Sequence, residues 1–556
     1  MKLTPFAKLF IAVIILGVVG YVLYVKRDTI TQWANQTGVK GTVPPGDKPP
    51  SDKPQPNGSN AVSKDDFSSI GAAREAGRQG VTGIAKVQLG SGKLTRKLRV
   101  GINTWAGHAP GIVANNGLSG GDKASIYLSK YGIDVEFTLL EDPQAKLAAF
   151  LKGDIDIMWD TVDSWAREAS ALAEQGKGGK AIVQQDWSRG GDGIVALTSI
   201  KSVEDLKGKK IATTRYTPSH WLLLYLLSQS GLSAADKLQI EKNLVFTAEA
   251  PLAAAAFKSK NVDAAVTWEP DLSGAVKARG DEAHVLVSTT AATNVIADVL
   301  VAQNELVEKS PETLTAFVHG WFDGIEAISK DPAQANMLVG KALKLPEDDV
   351  SGMLSGMKLT SFADNALFFG LDGNRAQFES LFNSAFIVWR KQGVISKSVD
   401  AKNCVDTRFV AALADAYPGQ KVVETFKFDP KKIDATKARP IINKQLTIYF
   451  TTGSDQIMAG SNFVLDSLGE TMVAFGNTFL RIEGNTDNTG SRSANRSLSQ
   501  KRADAVKDYL IENHKIDPKR FQTIGHGPDN PVAANTNEAG RQQNRRTDIK
   551  VILNVQ

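Results

Sequence analysis

The sequence predicts an α/β protein in which two folded domains follow an amino-terminal membrane helix. From residue 97 onward, short apolar strands alternate with helical stretches, as in α/β folds with largely parallel sheets. Two stretches rich in proline or lysine, at 41–60 and 429–440, separate regions of different pattern. An uncharged run at 9–25 precedes all of them. A chain of 556 residues is also too long for a single hydrophobic core.

The predicted domain boundaries follow from these changes of pattern. In order, they are an anchor at 1–36, a Pro/Gly-rich linker with an unassigned segment at 37–96, a large α/β domain at 97–428, a second linker at 429–444 and a small α/β domain at 445–556. The first linker has six of the 21 prolines. As polyproline at ~3.1 Å per residue, the stretch from about Thr37 to Asp66 would extend about 90 Å from a membrane.

The run at 9–25 is predicted to be one uncleaved transmembrane helix. Its 17 residues would span about 25 Å at ~1.5 Å per residue, just enough for the hydrocarbon core. The alternative is a cleaved signal peptide, but this has an apolar core of roughly 7 to 15 residues and a small-residue cleavage site, which is missing here. Lysines or arginines flank both ends, so the positive-inside rule barely decides the orientation of this helix in the membrane.

Composition argues against several function classes. The 65 basic and 60 acidic residues nearly balance, and the sequence has no long block of basic residues that could bind along a phosphate backbone. Nucleic acid is therefore not an expected partner. The single cysteine, Cys404, excludes an internal disulfide and a cysteine metal cluster. The six histidines lack metal-ligand spacing, and neither a Gly-x-Ser-x-Gly elbow nor a phosphate loop is present. No metal, no cofactor and no catalytic residue are therefore expected.

The large domain has a regular succession of predicted elements. Apolar runs predict strands at 98–102, 135–139, 155–159, 193–197, 210–213, 262–267 and 297–302. Helices are predicted between them, for instance at 143–152 and 219–230, each of which has a proline at or near its start. Helical periodicity then dominates from 311 to about 417.

Four segments of this domain carry a family resemblance: LRVGINTWAGHAPGIVANNGL, KLAAFLKGDIDIMWDTVDSW, VEDLKGKKIATT and NVDAAVTWEPDL. In their order and spacing, residues 97–423 resemble the periplasmic substrate-binding proteins of ABC importers, in the taurine, nitrate and aliphatic-sulfonate branch. The resemblance implies a bilobed type 2 periplasmic-binding-protein fold that closes on a small polar or anionic solute, with an ABC permease as partner. Related folds include a pyrimidine-forming enzyme of thiamine synthesis, whose iron-binding cysteine cluster is missing here, so binding rather than catalysis is expected.

Solute contacts are expected from side chains at the predicted strand ends, where ligands sit in open α/β sheets. Indole rings offer flat apolar walls, although core packing is the competing interpretation for any tryptophan. Threonine hydroxyls and backbone N–H groups at a helix start suit an anion, and carboxylates suit a positively charged end. The candidates are Trp105, Asp160, Thr213, Thr214, Trp268 and Glu269.

The last domain resembles the OmpA-like family over nearly all of its length. The resemblance lies in LRIEGNTDNTGSRSANRSLSQKRADAVKDYL and in RFQTIGHGPDNPVAANTNEAGRQQNRRTDIKVIL. One departure is Asn485, where the family usually has histidine before Thr-Asp. The resemblance implies binding to peptidoglycan through its diaminopimelate peptide.

Two charged residues are the main candidates for holding the diaminopimelate head, which has an ammonium and a carboxylate close together. Asp487 lies on the Thr-Asp turn, and Arg502 lies on a partly apolar helical face, where a charge normally needs an anionic partner. The matching motif positions add Thr486, Asn495 and Arg545. Two alternatives stay open: an internal salt bridge between Asp487 and Arg502, and a solvated basic edge for Arg545.

Taken together, the sequence predicts a single-pass inner-membrane protein with the bulk of its chain in the periplasm. Its expected function is solute binding, with import through an ABC permease and attachment to peptidoglycan. The alternatives are a structural tether between membrane and wall, or a solute sensor without a transport role.

Overall fold

The computed structural model describes residues 81–373, 376–423, 440–451, 453–514 and 516–553. The predicted transmembrane helix at 9–25 and the proline-rich stretch at 41–60 lie outside these described residues. Within the described ranges, no helix combines the length and the apolar character that a membrane crossing requires.

The first lobe of the large domain begins with residues 98–188. Helix α3 illustrates how its ends are set: the Asp142 carboxylate accepts a hydrogen bond from the Ala145 N–H at 2.7 Å, Pro143 occupies the first turn, and Gly153 ends the helix at φ 78°. The elements are β1 (Leu98–Ile102), α1 (Ala109–Ala114), α2 (Ile126–Tyr131), β2 (Val135–Leu139), α3 (Pro143–Lys152), β3 (Ile157–Thr161), α4 (Val162–Glu174) and β4 (Gly179–Ser188).

The second lobe comprises residues 192–288. Its helix α5 begins at Pro218 and buries a leucine-rich run, which forms much of this lobe's core. The elements are β5 (Asp192–Leu197), β6 (Ile211–Thr214), α5 (Pro218–Gln229), α6 (Ala234–Lys242), β7 (Leu244–Thr247), α7 (Ala250–Lys258), β8 (Ala264–Trp268), α8 (Asp271–Arg279) and β9 (Ala283–Ser288).

The chain then returns to the first lobe, which it completes with a strand and a largely helical region. The elements are β10 (Ala297–Gln303), α9 (Asn304–Lys309), α10 (Pro311–Lys330), α11 (Pro332–Leu343), α12 (Glu347–Ser355), β11 (Met357–Leu359), α13 (Phe362–Phe368), α14 (Gln377–Lys391) and α15 (Arg408–Ala411). Residues ahead of β1 pack on this region, since Val81 is buried against Ala363 and Ala366, and the Leu94 N–H donates to Thr313 Oγ1 at 2.8 Å.

Each lobe has its own sheet, in the orders β11-β4-β10-β3-β1-β2 and β7-β6-β8-β5-β9. The predicted two-lobed α/β architecture is therefore confirmed. The sheets are largely but not wholly parallel. In the first sheet β10 and β11 run against the other four strands, and in the second β5 runs against the other four. Strands β5 and β10 each enter their lobe from the other one.

The last domain is a four-stranded sheet with helices, in the order β12-β15-β13-β14. Its long helix α17 lies close on the sheet because Gly484 and Gly525 leave room: a Cβ there would lie 2.3 Å and 2.4 Å from backbone atoms of Ser499 and Gln500. The elements are β12 (Pro440–Leu446), α16 (Asn462–Ala474), β13 (Thr478–Asn485), α17 (Arg492–His514), β14 (Phe521–Gly527), α18 (Glu538–Asn544) and β15 (Thr547–Leu553).

Two segments, 189–191 and 289–296, connect the lobes, and the second of them contacts the last domain. The Gly476 N–H donates to Thr293 Oγ1 at 3.1 Å, and the Asn294 side chain donates to the Val473 carbonyl at 3.0 Å. Asn294 also accepts from Arg189 at 3.0 Å, so one amide joins both connecting segments. The last domain is thus bonded to the region about which the lobes would hinge.

Candidate functional site

A cavity of about 430 Å³ lies between the two lobes. Trp105 and Trp159 line it from the first lobe, and Tyr216 and Trp268 line it from the second. This volume falls in the range of small-molecule sites, and aromatic walls with scattered polar groups are typical of such sites.

The charged side chains around this cavity are mostly acidic. Two cations, Lys146 and Arg167, line it together with nine carboxylates: Glu141, Asp142, Asp160, Glu168, Asp192, Glu249, Glu269, Asp271 and Asp298.

Both cations are already paired with carboxylates. The Lys146 ammonium is buried, lies 3.0 Å from Glu168 Oε2 and 3.5 Å from Asp160 Oδ1, and stands 4.5 Å above the Trp159 ring. Arg167 donates to the other Glu168 oxygen at 2.9 Å. Asp160 Oδ1 also accepts from the Thr161 N–H at 2.9 Å, whereas Asp160 Oδ2 has no hydrogen-bond partner among the described residues. Burial, together with the charge of Glu168, raises the pKa of Asp160 well above its usual value.

A second group of carboxyls lies deeper, where the strands cross between the lobes. Burial raises the pKa of Asp192 to about 7, although Ser188 donates a hydrogen bond to it at 2.7 Å. Burial likewise raises the pKa of Asp186 to about 7, while the Trp105 indole donates to it at 3.3 Å. The pKa of Asp298 is raised well above its usual value by burial and by the neighbouring carboxylates. Asp186 and Asp192 are consequently available in both protonation states near neutral pH.

Most of the solute-binding candidates lie together at the cavity. Trp105, Asp160, Thr214, Trp268 and Glu269 line it. Glu269 is half-exposed and accepts two hydrogen bonds from Ser273, at 2.7 and 3.1 Å.

Thr213 is not among the cavity's lining residues and is fully buried within β6. Sequence reasoning did not single out Lys146, Trp159, Arg167, Glu168 or Asp298. A buried carboxylate at the predicted end of a strand, such as Asp160, was a signal that a cation must lie nearby.

The candidate wall-binding residues also lie together. Asp487 Oδ1 accepts from the Thr489 N–H at 2.8 Å, and Oδ2 accepts from Arg545 at 2.6 Å. Thr486 donates to Gly527 and Asn495 donates to the Thr489 carbonyl, both at 2.9 Å, and these bonds fix the turn. Burial alone would raise the pKa of Asp487, but the hydrogen bonds from Arg545 and Thr489 outweigh it and lower the pKa.

Arg502 is half-buried on α17, 4.8 Å from the Phe450 ring centre, and donates to the Ser454 carbonyl at 3.0 Å. Burial lowers the pKa of Arg502, and the charges of Asp455, Arg545 and Asp487 all act on it. Asp487 therefore pairs with Arg545 rather than with Arg502, and the internal salt bridge considered from the sequence is not the one observed. Arg545 is exposed and binds both Asp487 and Glu538.

Two family models match the chain. The NMT1/THI5 like family matches residues 123–335, which lie in the two-lobed domain, and the OmpA family matches residues 449–545.

Curated relatives match the last domain. Outer membrane protein Omp38 of Acinetobacter baumannii is 33% identical over 131 residues, which are 23% of this chain and 37% of that protein. The peptidoglycan-associated lipoprotein of Buchnera aphidicola is 29% identical over 148 residues, which are 27% of this chain and 84% of that protein. The chain thus spans little more than a third of the length of the first relative.

Among solved structures, the periplasmic aliphatic sulphonate binding protein of Escherichia coli is 21% identical, with a TM-score of 0.44. The match covers 56% of this chain and 98% of that one. The two family models thus match one part of the molecule each. The chain contains an NMT1/THI5 like domain and, at its carboxyl-terminal end, a domain of the OmpA family.

Proposed function

We propose that this protein binds a small solute in the periplasm while its OmpA-family domain holds it to peptidoglycan. The observation that carries the solute-binding half is the cavity of about 430 Å³ between two lobes joined by two short segments. Such an arrangement can close about its connections, so that side chains of both lobes contact a ligand at once. An ABC permease is the partner that this arrangement would serve.

Solute binding is testable by closure of the full-length protein. A bound solute should raise the melting temperature and reduce the radius of gyration in small-angle scattering, because it binds both lobes only when they approach. Trp268→Ala removes a half-buried cavity wall and should abolish both effects, whereas Met337→Ala, at an exposed position away from the cavity, should leave them intact. If no compound among amines, sulfonates, nitrate, phosphate, phosphonates and amino acids produces either change, the solute-binding proposal is wrong.

The wall-binding half of the proposal rests on the geometry around Asp487 and Arg502. An aspartate on an ordered turn and a half-buried arginine on the adjacent helix offer opposite charges to one ligand group. The head of diaminopimelate has a matching ammonium and carboxylate. Peptidoglycan also figures in the name of one relative of this domain.

Attachment to the inner membrane is proposed from the uncharged run at 9–25. Together with the proline-rich linker, it would place the folded domains in the periplasm on a long spacer. Amino-terminal sequencing of the protein extracted from membranes should find residues ahead of position 21. A mature terminus between 21 and 30 would instead indicate a cleaved signal peptide.

A purely structural tether between membrane and wall is the rival function. It would need no polar cavity between mobile lobes, so the convergence of Asp160, Glu269 and Trp268 argues against it. A solute sensor without a transport role is the second candidate, favoured by the hydrogen bonds that Asn294 makes to the OmpA-family domain.

A further inference from the structure

We propose that the solute is an organic cation, such as an amine or a quaternary ammonium, rather than an anion. This inference rests on the proposed solute-binding function and specifies the chemistry of its ligand. It departs from the expectation of a small polar or anionic solute.

The first support is the charge that surrounds the cavity. Nine carboxylates and two cations line it. Even if Asp160, Asp192 and Asp298, the lining acids whose pKa burial raises, are protonated, six carboxylates still face two cations. Like charges near a protein surface repel each other appreciably over a few ångströms, so this imbalance disfavours an anion.

The second support is that the two cations are not available to an anion. Lys146 lies between Glu168 and Asp160, and Arg167 binds the other oxygen of Glu168. An anionic ligand would have to break these pairs and would leave buried carboxylates without a partner, which is strongly unfavourable.

The third support is an acceptor that lacks a donor. Asp160 is fully buried and lines the cavity, and its Oδ2 has no hydrogen-bond partner among the described residues. Buried polar atoms are normally satisfied, so in the ionised carboxylate this oxygen calls for a donor from the ligand. The N–H of a protonated amine supplies one, whereas a quaternary ammonium has no N–H and would meet the carboxylate by charge alone. The rings of Trp105 and Trp268 can face the methyl or methylene groups of either cation.

Two competing ligands fit less well. Helices α4, α5 and α7 begin beside the cavity, but each helix start contributes only about half a positive charge, which is less than the acidic excess. A metal ion needs several ligands around one point, and the described residues contain no group of three histidine, cysteine, aspartate or glutamate side chains that could hold one.

The test compares two sets of small ions on the purified full-length protein at pH 8 and fixed ionic strength. The cations are ethylammonium, tetramethylammonium and 1,4-diaminobutane, and the anions are ethanesulfonate, nitrate and inorganic phosphate. Titration calorimetry should detect binding of at least one cation and of no anion. Asp160→Asn should weaken cation binding at least tenfold, whereas Asp415→Asn, at an exposed position away from the cavity, should not.

Glu269→Gln is the second variant, because this half-exposed position tolerates change if Asp160→Asn fails to fold. We expect it to weaken cation binding about threefold to tenfold. Binding of anions alone would overturn the cationic inference and leave the solute-binding function standing. Equal cation binding by wild type and both variants would also overturn it. If neither set of ions binds, the cationic inference is wrong, whereas the proposed function fails only if the phosphonates and amino acids of the wider screen also have no effect.

Discussion

Replacing Asp487 or Arg502 by alanine is expected to reduce sedimentation of the full-length protein with purified peptidoglycan to near background. Each residue would make charge-assisted hydrogen bonds to the diaminopimelate head, worth about 1.5 to 3 kcal/mol, or roughly tenfold to a hundredfold in affinity. The double variant should be little worse than either single one, since both side chains act on one ligand group. Asp487→Ala also leaves Arg545 without its partner at 2.6 Å.

The matched control is Arg492→Ala. Arg492 lies on the same helix as Arg502, is exposed and pairs with Asp529 at 2.8 Å. Because an exposed pair contributes little, the Arg492→Ala protein should sediment as the wild type does. Walls with amidated diaminopimelate, which lack the free carboxylate, should bind the wild type as weakly as free walls bind Arg502→Ala. Equal sedimentation of wild type and both alanine variants, with native circular dichroism, would refute the assignment.

Lys146→Met is expected to lower the free energy of unfolding of the two-lobed domain by about 3 to 5 kcal/mol at pH 8. The substitution keeps an unbranched, flexible side chain but removes the cation between Asp160 and Glu168, and both carboxylates are almost completely buried. A buried pair that loses one partner leaves an uncompensated charge, which costs about this much. Thermal unfolding followed by tryptophan fluorescence measures the loss.

The pH dependence of this loss has a definite sign. The pKa of Asp160 is already raised in the folded state by burial, and the attraction of Lys146 opposes that rise. Without Lys146 the folded-state pKa rises further, so the protonated carboxyl supports folding at low pH and that support is lost as pH rises. Lys146→Met should therefore be least damaging near pH 5 and most damaging near pH 8.

Two further variants check this interpretation. Adding Glu168→Gln to Lys146→Met should recover part of the lost stability, because it removes one of the uncompensated charges. Lys309→Met breaks an exposed pair with Glu305 and should change stability by less than about 1 kcal/mol. A Lys146→Met protein as stable as wild type across this pH range would show that the buried carboxyls need no cation.

Sequence patterns predicted the elements whose residues are all apolar or whose ends are marked by capping residues. Strands β1 and β2 and helix α3 have the predicted bounds, because apolar residues fill the strands and an aspartate, a proline and a glycine mark the helix ends. Strand β4 was missed because Gln184, Gln185 and Asp186 interrupt its apolar run. All three are buried. The Gln184 N–H donates to the Asn365 side chain, and Thr360 of the same distant segment donates to the carbonyls of Gln184 and Gln185. Partners so remote in sequence leave no local signal.

The same distinction holds for the sites. Trp105 and Trp268 could be placed at the cavity because each follows a strand whose end is visible in the sequence. The triad of Lys146, Asp160 and Glu168 could not, since its members come from two helices and a strand that meet only through tertiary packing. The pairing of Asp487 with Arg545, 58 residues apart, was hidden for the same reason.

The hydrogen bonds of Thr293 and Asn294 have a mechanical consequence. They join the OmpA-family domain to a segment between the lobes, and Thr471 of that domain also bonds to Gln229 of the second lobe, at 2.6 Å. If peptidoglycan holds the OmpA-family domain still, the second lobe is held with it and the first lobe is the one that moves. Tension along the wall would then act on the segments that connect the lobes, where a small displacement produces a large change in the width of the cavity.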